Sequence, residues 1–173
     1  MIQSPKSVFQ FCPQCAAHLD TINRGGRTRL VCPTCGFVLR RYPVAGVGII
    51  VLNGHNILLG RRTRVRFGAG AWCIPCGYIE WGEDIRVAGR RELLEETGLE
   101  ANIGSVYAVH SNFHDPSAFT VGIWFRATVV GGTLQAGDDL DTADYFPLDA
   151  LPEPLAFPTD RLVLDQLRRE VLA

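Results

Sequence analysis

The 173-residue sequence lacks the features that mark several large classes of protein. Charge of neither sign is in excess, because 17 Lys and Arg residues face 18 Asp and Glu residues, so bulk electrostatics give no reason to expect nucleic-acid binding. The longest apolar run, around Val44–Leu52, contains two glycines and has the length of a strand rather than of a membrane span. The N-terminus lacks the apolar core of a signal peptide. We therefore expect a cytoplasmic protein that does not enter membranes.

Internal repeats and low-complexity tracts are absent too. Hydrophobic residues make up 47% of the sequence, a share that is large enough for a folded core and that argues against disorder. The length suits one ordinary domain with a small attachment. Pro43 is a natural boundary between the two, so we predict a small module at residues 1–42 and a main domain at residues 43–173.

The small module contains two Cys-x2-Cys pairs, Cys12 with Cys15 and Cys32 with Cys35, separated by sixteen residues. Each pair can bend one turn of chain around a cation, and two such turns complete a tetrahedral thiolate site for Zn²⁺. The alternative, two disulfides, requires an oxidising compartment that nothing in the sequence indicates. We predict a structural zinc site.

A third pair, Cys73 and Cys76, lies in the main domain. We interpret these two as small, partly buried residues. A redox site or a second metal site is the alternative, but the segment lacks the helix start that is typical of redox motifs.

The residues between the two cysteine pairs of the small module, and those after the second pair, predict a hairpin. A turn signal at Asn23–Gly26 precedes short strands at Arg27–Val31 and Phe37–Tyr42. So small a module cannot build an adequate core, and a metal would supply the missing stability. The module resembles a zinc ribbon. Its arginines would suit nucleic acid, but stacking aromatics are few, so we favour a structural or dimer-forming role; dimerisation is an expectation from the resemblance.

Strands and two helices are predicted for the main domain. The predicted strands are Val44–Leu52, Ile57–Arg62, Ala71–Ile74, Ala101–Ser111, Phe119–Val130 and Thr142–Leu148. A last helix is predicted to begin with Thr159 or Asp160 as its cap and to end near Leu172. This pattern predicts an α/β sandwich of mixed sheets.

The other predicted helix carries the strongest signal in the chain. It covers residues 84–97 and is followed by Gly98, where a left-handed cap belongs. At about 100° per residue, Glu92, Glu95 and Glu96 share one face with apolar residues. Carboxylates so close repel each other, and a hard cation such as Mg²⁺ or Mn²⁺ would relieve the repulsion. The alternative is a solvated acidic face paired with arginines.

The surrounding residues favour the metal over the solvated face. The motif begins at Gly77, and Glu83 follows after five residues. After seven more residues comes the run Arg91-Glu92-Leu93-x-Glu95-Glu96-x-Gly98-Leu99. This stretch resembles the complete Nudix box, and it implies the Nudix type of α/β/α sandwich over roughly residues 43–172. The resemblance implies that Glu92, Glu95 and Glu96 bind Mg²⁺ or Mn²⁺, together with the Gly77 carbonyl.

The resemblance also implies a reaction, the hydrolysis of a nucleoside diphosphate linked to another group. Glu95 or Glu96 would orient or deprotonate the attacking water. Arg91 can pair with Glu83 or Glu92 and fix the carboxylates in register. A binding or sensing protein that uses the fold without catalysis is the alternative, and the intact set of glutamates argues against it.

Outside the box the candidates are weaker. Substrate-binding candidates are Glu80, Phe113, His114 and Asp139. Glu80 lies at the mouth of the predicted loop, and Asp139 lies in an acidic loop of the kind that supplies a further carboxylate in some Nudix relatives. Phe113 is a candidate for stacking on an adenine or flavin ring.

The order of ribbon and box resembles that of bacterial NADH pyrophosphatases. Those enzymes carry Ser-Gln-Pro-Trp-Pro-Phe-Pro after the box, whereas residues 110–117 here read His-Ser-Asn-Phe-His-Asp-Pro-Ser. The chain looks more like ribbon–Nudix proteins for which ADP-ribose and FAD are among the substrate types. We therefore predict hydrolysis of an ADP-linked compound such as ADP-ribose, with NADH or FAD as the alternative substrates.

Overall fold

The computed structural model describes residues 9–63, 67–115 and 118–172. The chain divides into two compact units, Met1–Tyr42 and Pro43–Ala173. Within the described ranges, no helix is both long and apolar enough to cross a membrane.

The smaller unit contains a three-stranded antiparallel sheet in the order β1-β2-β3. Its strands are β1 (Asp20–Arg24), β2 (Arg27–Val31) and β3 (Val38–Leu39). The turn between β1 and β2 consists of Gly25 and Gly26, both with positive φ, the backbone that a two-residue hairpin turn of the I′ type needs. β2 is as predicted, β3 is shorter than the predicted Phe37–Tyr42, and β1 was not predicted because its residues are exposed and show no apolar alternation.

The larger unit is built on one mixed sheet. Its strands are β4 (Val44–Asn53), β5 (Asn56–Arg62), β6 (Trp72–Cys73), β7 (Cys76–Tyr78), β8 (Leu99–Asn112), β9 (Thr120–Gly132) and β10 (Leu140–Pro147). The order along the sheet is β10-β5-β4-β9-β8, with β6 on β5 and β7 on β4. The pair of β4 and β9 is parallel, and the other described pairs are antiparallel.

Two helices, α1 (Ile85–Thr97) and α2 (Pro158–Val171), cover opposite faces of this sheet. Side chains alternate along β4, so Ile49 packs with Leu93 of α1 while Ile50 packs with Leu164 of α2. The predicted α/β/α sandwich is confirmed. Strand β7 is a difference, since the Pro75–Gly77 segment was expected only to turn the chain.

Candidate active site

Helix α1 ends where its sequence predicts and begins one residue later, because Asp84 is its N-cap. The Asp84 side chain caps its start, accepting hydrogen bonds from the backbone N–H groups of Arg86 at 2.8 Å and Val87 at 3.3 Å. Gly98 ends it with φ of 68°, and its N–H donates to the Leu94 carbonyl. Both ends are closed by local interactions, which fixes the axial position of every glutamate on the helix.

The three predicted metal-binding glutamates do not share one environment. Glu96 is 1% exposed and Glu92 is 8% exposed, and both line a cavity of about 360 Å³. The Glu95 side chain is 48% exposed and is not among the residues that line the cavity. Glu92 and Glu96, one helical turn apart, are therefore the carboxylates that the helix presents to the cavity.

Arg91 joins the carboxylates of the helix to the loop before it. Its Nε and Nη2 bind both oxygens of Glu83, at 2.9 and 2.8 Å, and Nη1 donates to Glu92 at 2.8 Å and to Glu95 at 3.1 Å. Nη2 also donates to the Tyr78 carbonyl at 3.0 Å. The two pairings expected as alternatives, with Glu83 and with Glu92, are both present. The planar guanidinium fork suits such multiple contacts.

Strand β7 brings backbone groups against the same glutamates. The Cys76 N–H donates to Glu96 Oε2 at 2.8 Å. Gly77 has no side chain where the Glu92 carboxylate lies, and an added Cβ there would overlap with that carboxylate. Glycine at position 77 is favoured by this close approach and not by its own φ, since any larger residue would have to displace the Glu92 side chain. Backbone of β7 and carboxylates of α1 form one wall of the cavity.

A loop between β9 and β10 adds two more acids. Asp138 and Asp139 both line the cavity, and Arg62 of β5 pairs with Asp139 at 3.0 Å. This loop is tied to the end of α1, because the N–H groups of Gln135 and Gly137 donate to the carbonyls of Thr97 at 2.9 Å and Glu96 at 3.0 Å. Four carboxylates from two segments therefore approach the same cavity.

Burial and charge pairing shift the acids of the site in opposite directions. Burial raises the pKa of Glu96 well above its usual value, with smaller contributions from Cys76 and Asp139. Burial also raises the pKa of Glu92, against the opposing effect of Arg91. Glu83 differs, since its hydrogen bonds with Arg91 lower its pKa to about 2. Buried acids that face a cavity are the donor set that a hard cation requires, so these residues fit Mg²⁺ or Mn²⁺.

The residues predicted to bind substrate have different positions. Glu80, His114 and Asp139 line the cavity, whereas Phe113 is not among the lining residues. The Phe113 ring is 59% exposed and packs edge-on against Phe119, with 5.4 Å between ring centroids.

The cavity also contains residues that were not predicted for the site. Among them are Phe67, Phe157, Thr159 and Asp160. The local sequence contained a signal only for the last two, which were expected as helix caps.

Asp160 does not have the capping role that was expected for it. The residue at the N-cap of α2 is Phe157, which makes no side-chain capping bond. Asp160 lies inside the first turn, 1% exposed, and its carboxylate accepts hydrogen bonds from the Ile74 N–H at 3.0 Å and from Trp124 Nε1 at 3.3 Å. These partners from β9 and the β6–β7 connection hold the carboxylate, so a local capping bond is not formed. Burial raises the pKa of Asp160 to about 7.

A pH dependence of stability follows from Asp160. Its pKa in the folded protein lies above the unfolded value near 3.9, so its contribution to stability is full below that value and is lost as the pH rises through about 7. We expect Asp160→Asn to flatten the decrease in the free energy of unfolding between pH 5 and pH 8, measured by urea denaturation. Asp165→Asn, an exposed change on the same helix, should leave the decrease as it is. Equal slopes for the wild type and Asp160→Asn would contradict the assignment.

In the smaller unit, the four predicted zinc ligands lie together. The Sγ atoms of Cys12, Cys15, Cys32 and Cys35 are all within 4.8 Å of one another, and among the residues described this is the one grouping of three or more His, Cys, Asp and Glu side chains close enough to hold a metal ion. Cys12 and Cys35 are 3.6 Å apart at Sγ, and Cys15 and Cys32 are 3.4 Å apart. These distances exclude disulfides and approach the spacing of about 3.8 Å that a tetrahedral site with Zn–S bonds of 2.3 Å requires.

Cys73 and Cys76 are also free thiols. Cys73 is buried and Cys76 is half-buried, as interpreted from the sequence.

The fold and the cavity define a small α/β domain in which buried carboxylates line a cavity. The NUDIX domain model matches residues 42–167 of the chain. The chain therefore belongs to the Nudix hydrolase family.

Individual relatives agree with this assignment. The chain is 37% identical over 128 residues to an ADP-ribose pyrophosphatase of Methanocaldococcus jannaschii, covering 73% of this chain and 75% of that protein. It is 33% identical over 147 residues to the NAD-capped RNA hydrolase NudC of Pseudomonas aeruginosa, but spans only about half of it, 49%. Among solved structures, a NUDIX hydrolase from Nitrosomonas europaea superposes with a TM-score of 0.80 at 27% identity, covering 95% of this chain and 91% of that one.

Proposed function

We propose that this chain hydrolyses the diphosphate linkage of a nucleoside diphosphate derivative, and that the substrate is an ADP-linked compound such as ADP-ribose. The observation that supports this most directly is the pair of buried carboxylates, Glu92 and Glu96, at an open cavity in a Nudix domain. The choice of ADP-ribose is supported by the similarity to the ADP-ribose pyrophosphatase of Methanocaldococcus jannaschii, because the match covers three quarters of that protein. Products would be AMP and a phosphorylated sugar.

The proposed cofactor is Mg²⁺ or Mn²⁺, held by Glu92, Glu96 and the Gly77 carbonyl, with Glu95 as the further ligand that the resemblance implies. Such an ion would neutralise the diphosphate charge and acidify the attacking water. Glu96 is our choice for the proton acceptor, because its buried carboxylate lines the cavity and is held in place by the Cys76 N–H, which donates to Oε2. Burial raises its pKa, and a raised pKa makes a carboxylate a stronger proton acceptor. Arg91 and Glu83 position the carboxylates.

Substrate assays test this proposal. The purified full-length chain is incubated with MgCl₂ or MnCl₂ and with ADP-ribose, FAD, NADH or ATP in separate reactions, and AMP is measured by chromatography. We expect the fastest release of AMP from ADP-ribose. The NudC relatives make NADH the second candidate. If no ADP-linked compound releases AMP, the proposed function is wrong.

We further propose that residues 1–42 form a zinc ribbon in which Cys12, Cys15, Cys32 and Cys35 bind one structural Zn²⁺. We expect metal analysis to find about one zinc ion per chain, and Cys15→Ser to lose it together with the order of the ribbon, because three thiolates no longer close the site. Cys76→Ser, a change in the Cys-x2-Cys pair outside the cluster, should retain the zinc. Zinc retained at full occupancy by Cys15→Ser would contradict the site.

A further inference from the structure

One wall of the cavity is aromatic and has no part in the proposed diphosphate chemistry. Phe67, His114 and Phe157 come from three separate segments and line the cavity together. The Phe67 and Phe157 rings are almost parallel, at 12° with centroids 6.0 Å apart. The His114 ring lies 4.8 Å from Phe67 and 5.3 Å from Phe157. The three rings form one cluster, which we call the ring wall.

The described groups around the ring wall suit a flat, uncharged ligand. The guanidinium of Arg62 lies 5.1 Å from the centre of the Phe157 ring. That guanidinium is already paired with Asp139 at 3.0 Å. Burial lowers the pKa of His114 against the opposing effect of Asp115, which favours the neutral form of the imidazole. Phe67 is 39% exposed, which leaves apolar ring surface available to a ligand.

Unsatisfied polar atoms point to the same cavity. Among the described side chains, four have a buried nitrogen or oxygen atom without a hydrogen-bond partner. Three of the four, Asn112 Oδ1, Asp139 Oδ1 and Thr159 Oγ1, belong to residues that line this cavity. Thr159 is 8% exposed and lies two residues after Phe157. Because buried polar atoms are normally paired, these atoms can serve as hydrogen-bonding partners of a polar ligand in the cavity.

From these observations, and resting on the proposed function, we infer that Phe67, His114 and Phe157 bind the purine base of the nucleotide, with the Thr159 hydroxyl hydrogen-bonded to its edge. Bases stack on aromatic side chains through their flat faces, and a hydroxyl can donate or accept at a base edge. The carboxylates of α1 and the backbone of β7 form another wall of the same cavity, where the diphosphate would be. This arrangement assigns recognition of the base and chemistry at the diphosphate to separate residues.

The test measures binding without turnover. AMP and ribose 5-phosphate, which has no base, are titrated by calorimetry into the full-length protein at one fixed Mg²⁺ concentration. We expect AMP to bind more tightly than ribose 5-phosphate. Phe157→Leu should weaken AMP roughly tenfold and leave ribose 5-phosphate unchanged, whereas Phe157→Tyr, which keeps the ring, should bind AMP nearly as the wild type does.

The control is Phe146→Leu, which removes a ring that packs against Trp72 away from the cavity and should not alter the preference for AMP. Thr159→Val keeps the shape but removes the hydroxyl, and should weaken AMP while sparing ribose 5-phosphate. Equal binding of the two ligands by the wild type, or equal losses for both in Phe157→Leu, would overturn the inference. Because no hydrolysis is measured, a chain that fails the substrate assay but passes this test keeps the base site and loses only the proposed reaction.

Discussion

Replacing Glu96 by Gln is expected to lower kcat by roughly 10²- to 10⁴-fold, the usual loss when a general acid or base is removed. The change is isosteric, and the amide oxygen can still accept the hydrogen bond that the Cys76 N–H gives to Glu96. The fold should therefore survive while the negative charge and the proton acceptor are lost. Steady-state kinetics with ADP-ribose measure the loss, and circular dichroism checks the fold.

Glu100→Gln is the matched control, because Glu100 is exposed on β8 and does not line the cavity. It should retain wild-type kcat.

The stability of Glu96→Gln provides a second readout. The folded pKa of Glu96 is raised, so the stability contributed by its protonated form is lost as the pH rises through that pKa. Without added divalent ions at pH 8, Glu96→Gln should thus be at least as stable as the wild type. Unchanged turnover in Glu96→Gln would show that Glu96 is not the base.

Arg91→Lys is expected to lower kcat/KM on the order of 10- to 100-fold, the range for residues that orient metal ligands. Lysine carries one positive charge but cannot reproduce the planar fork that binds both oxygens of Glu83 together with Glu92. The free energy of unfolding should fall by about 1–3 kcal/mol, since hydrogen bonds to charged groups are lost. Urea denaturation and kinetics on the same preparation measure both effects.

Arg90→Lys, on the next residue of the same helix, is the control. Arg90 is exposed, and a surface change of this kind usually alters stability by less than about 0.5 kcal/mol.

Acid denaturation adds an independent check, because Arg91 lowers the pKa of Glu83 to about 2. The stability linked to Glu83 is present above its unfolded pKa and is lost as the pH falls toward 2. Arg91→Lys should therefore unfold at a higher pH than the wild type, and coincident acid transitions would contradict the pairing.

Short-range features of the fold could be predicted from the sequence. Helix α1 is specified by its own ends, Asp84 and Gly98, and by contacts within one or two turns. The hairpin between β4 and β5 is likewise local, since Gly54 has the positive φ that its two-residue turn needs. Where the residues that stabilise an element are close in sequence, the pattern was sufficient.

Long-range features could not be predicted in this way. Asp160 was expected to cap α2, but its carboxylate is bound by Ile74 and Trp124, 86 and 36 residues away. The ring wall has the same origin, because Phe67, His114 and Phe157 meet only in the folded chain. The exposure of Glu95 also depends on tertiary contacts, since helical spacing alone gives it the same face as Glu92 and Glu96.

The short segment from Thr133 to Gly137 has an evolutionary consequence. Its backbone donates to the last carbonyls of α1, and an added Cβ at Gly137 would come within 2.6 Å of the Glu95 carbonyl. The attachment depends on main-chain length rather than on most of the side chains. Related chains can therefore vary the sequence here, but an inserted or deleted residue would shift Asp138 and Asp139 relative to the glutamates. We therefore expect the length of this segment to be more constrained than the exposed side chains of Thr133 and Gln135.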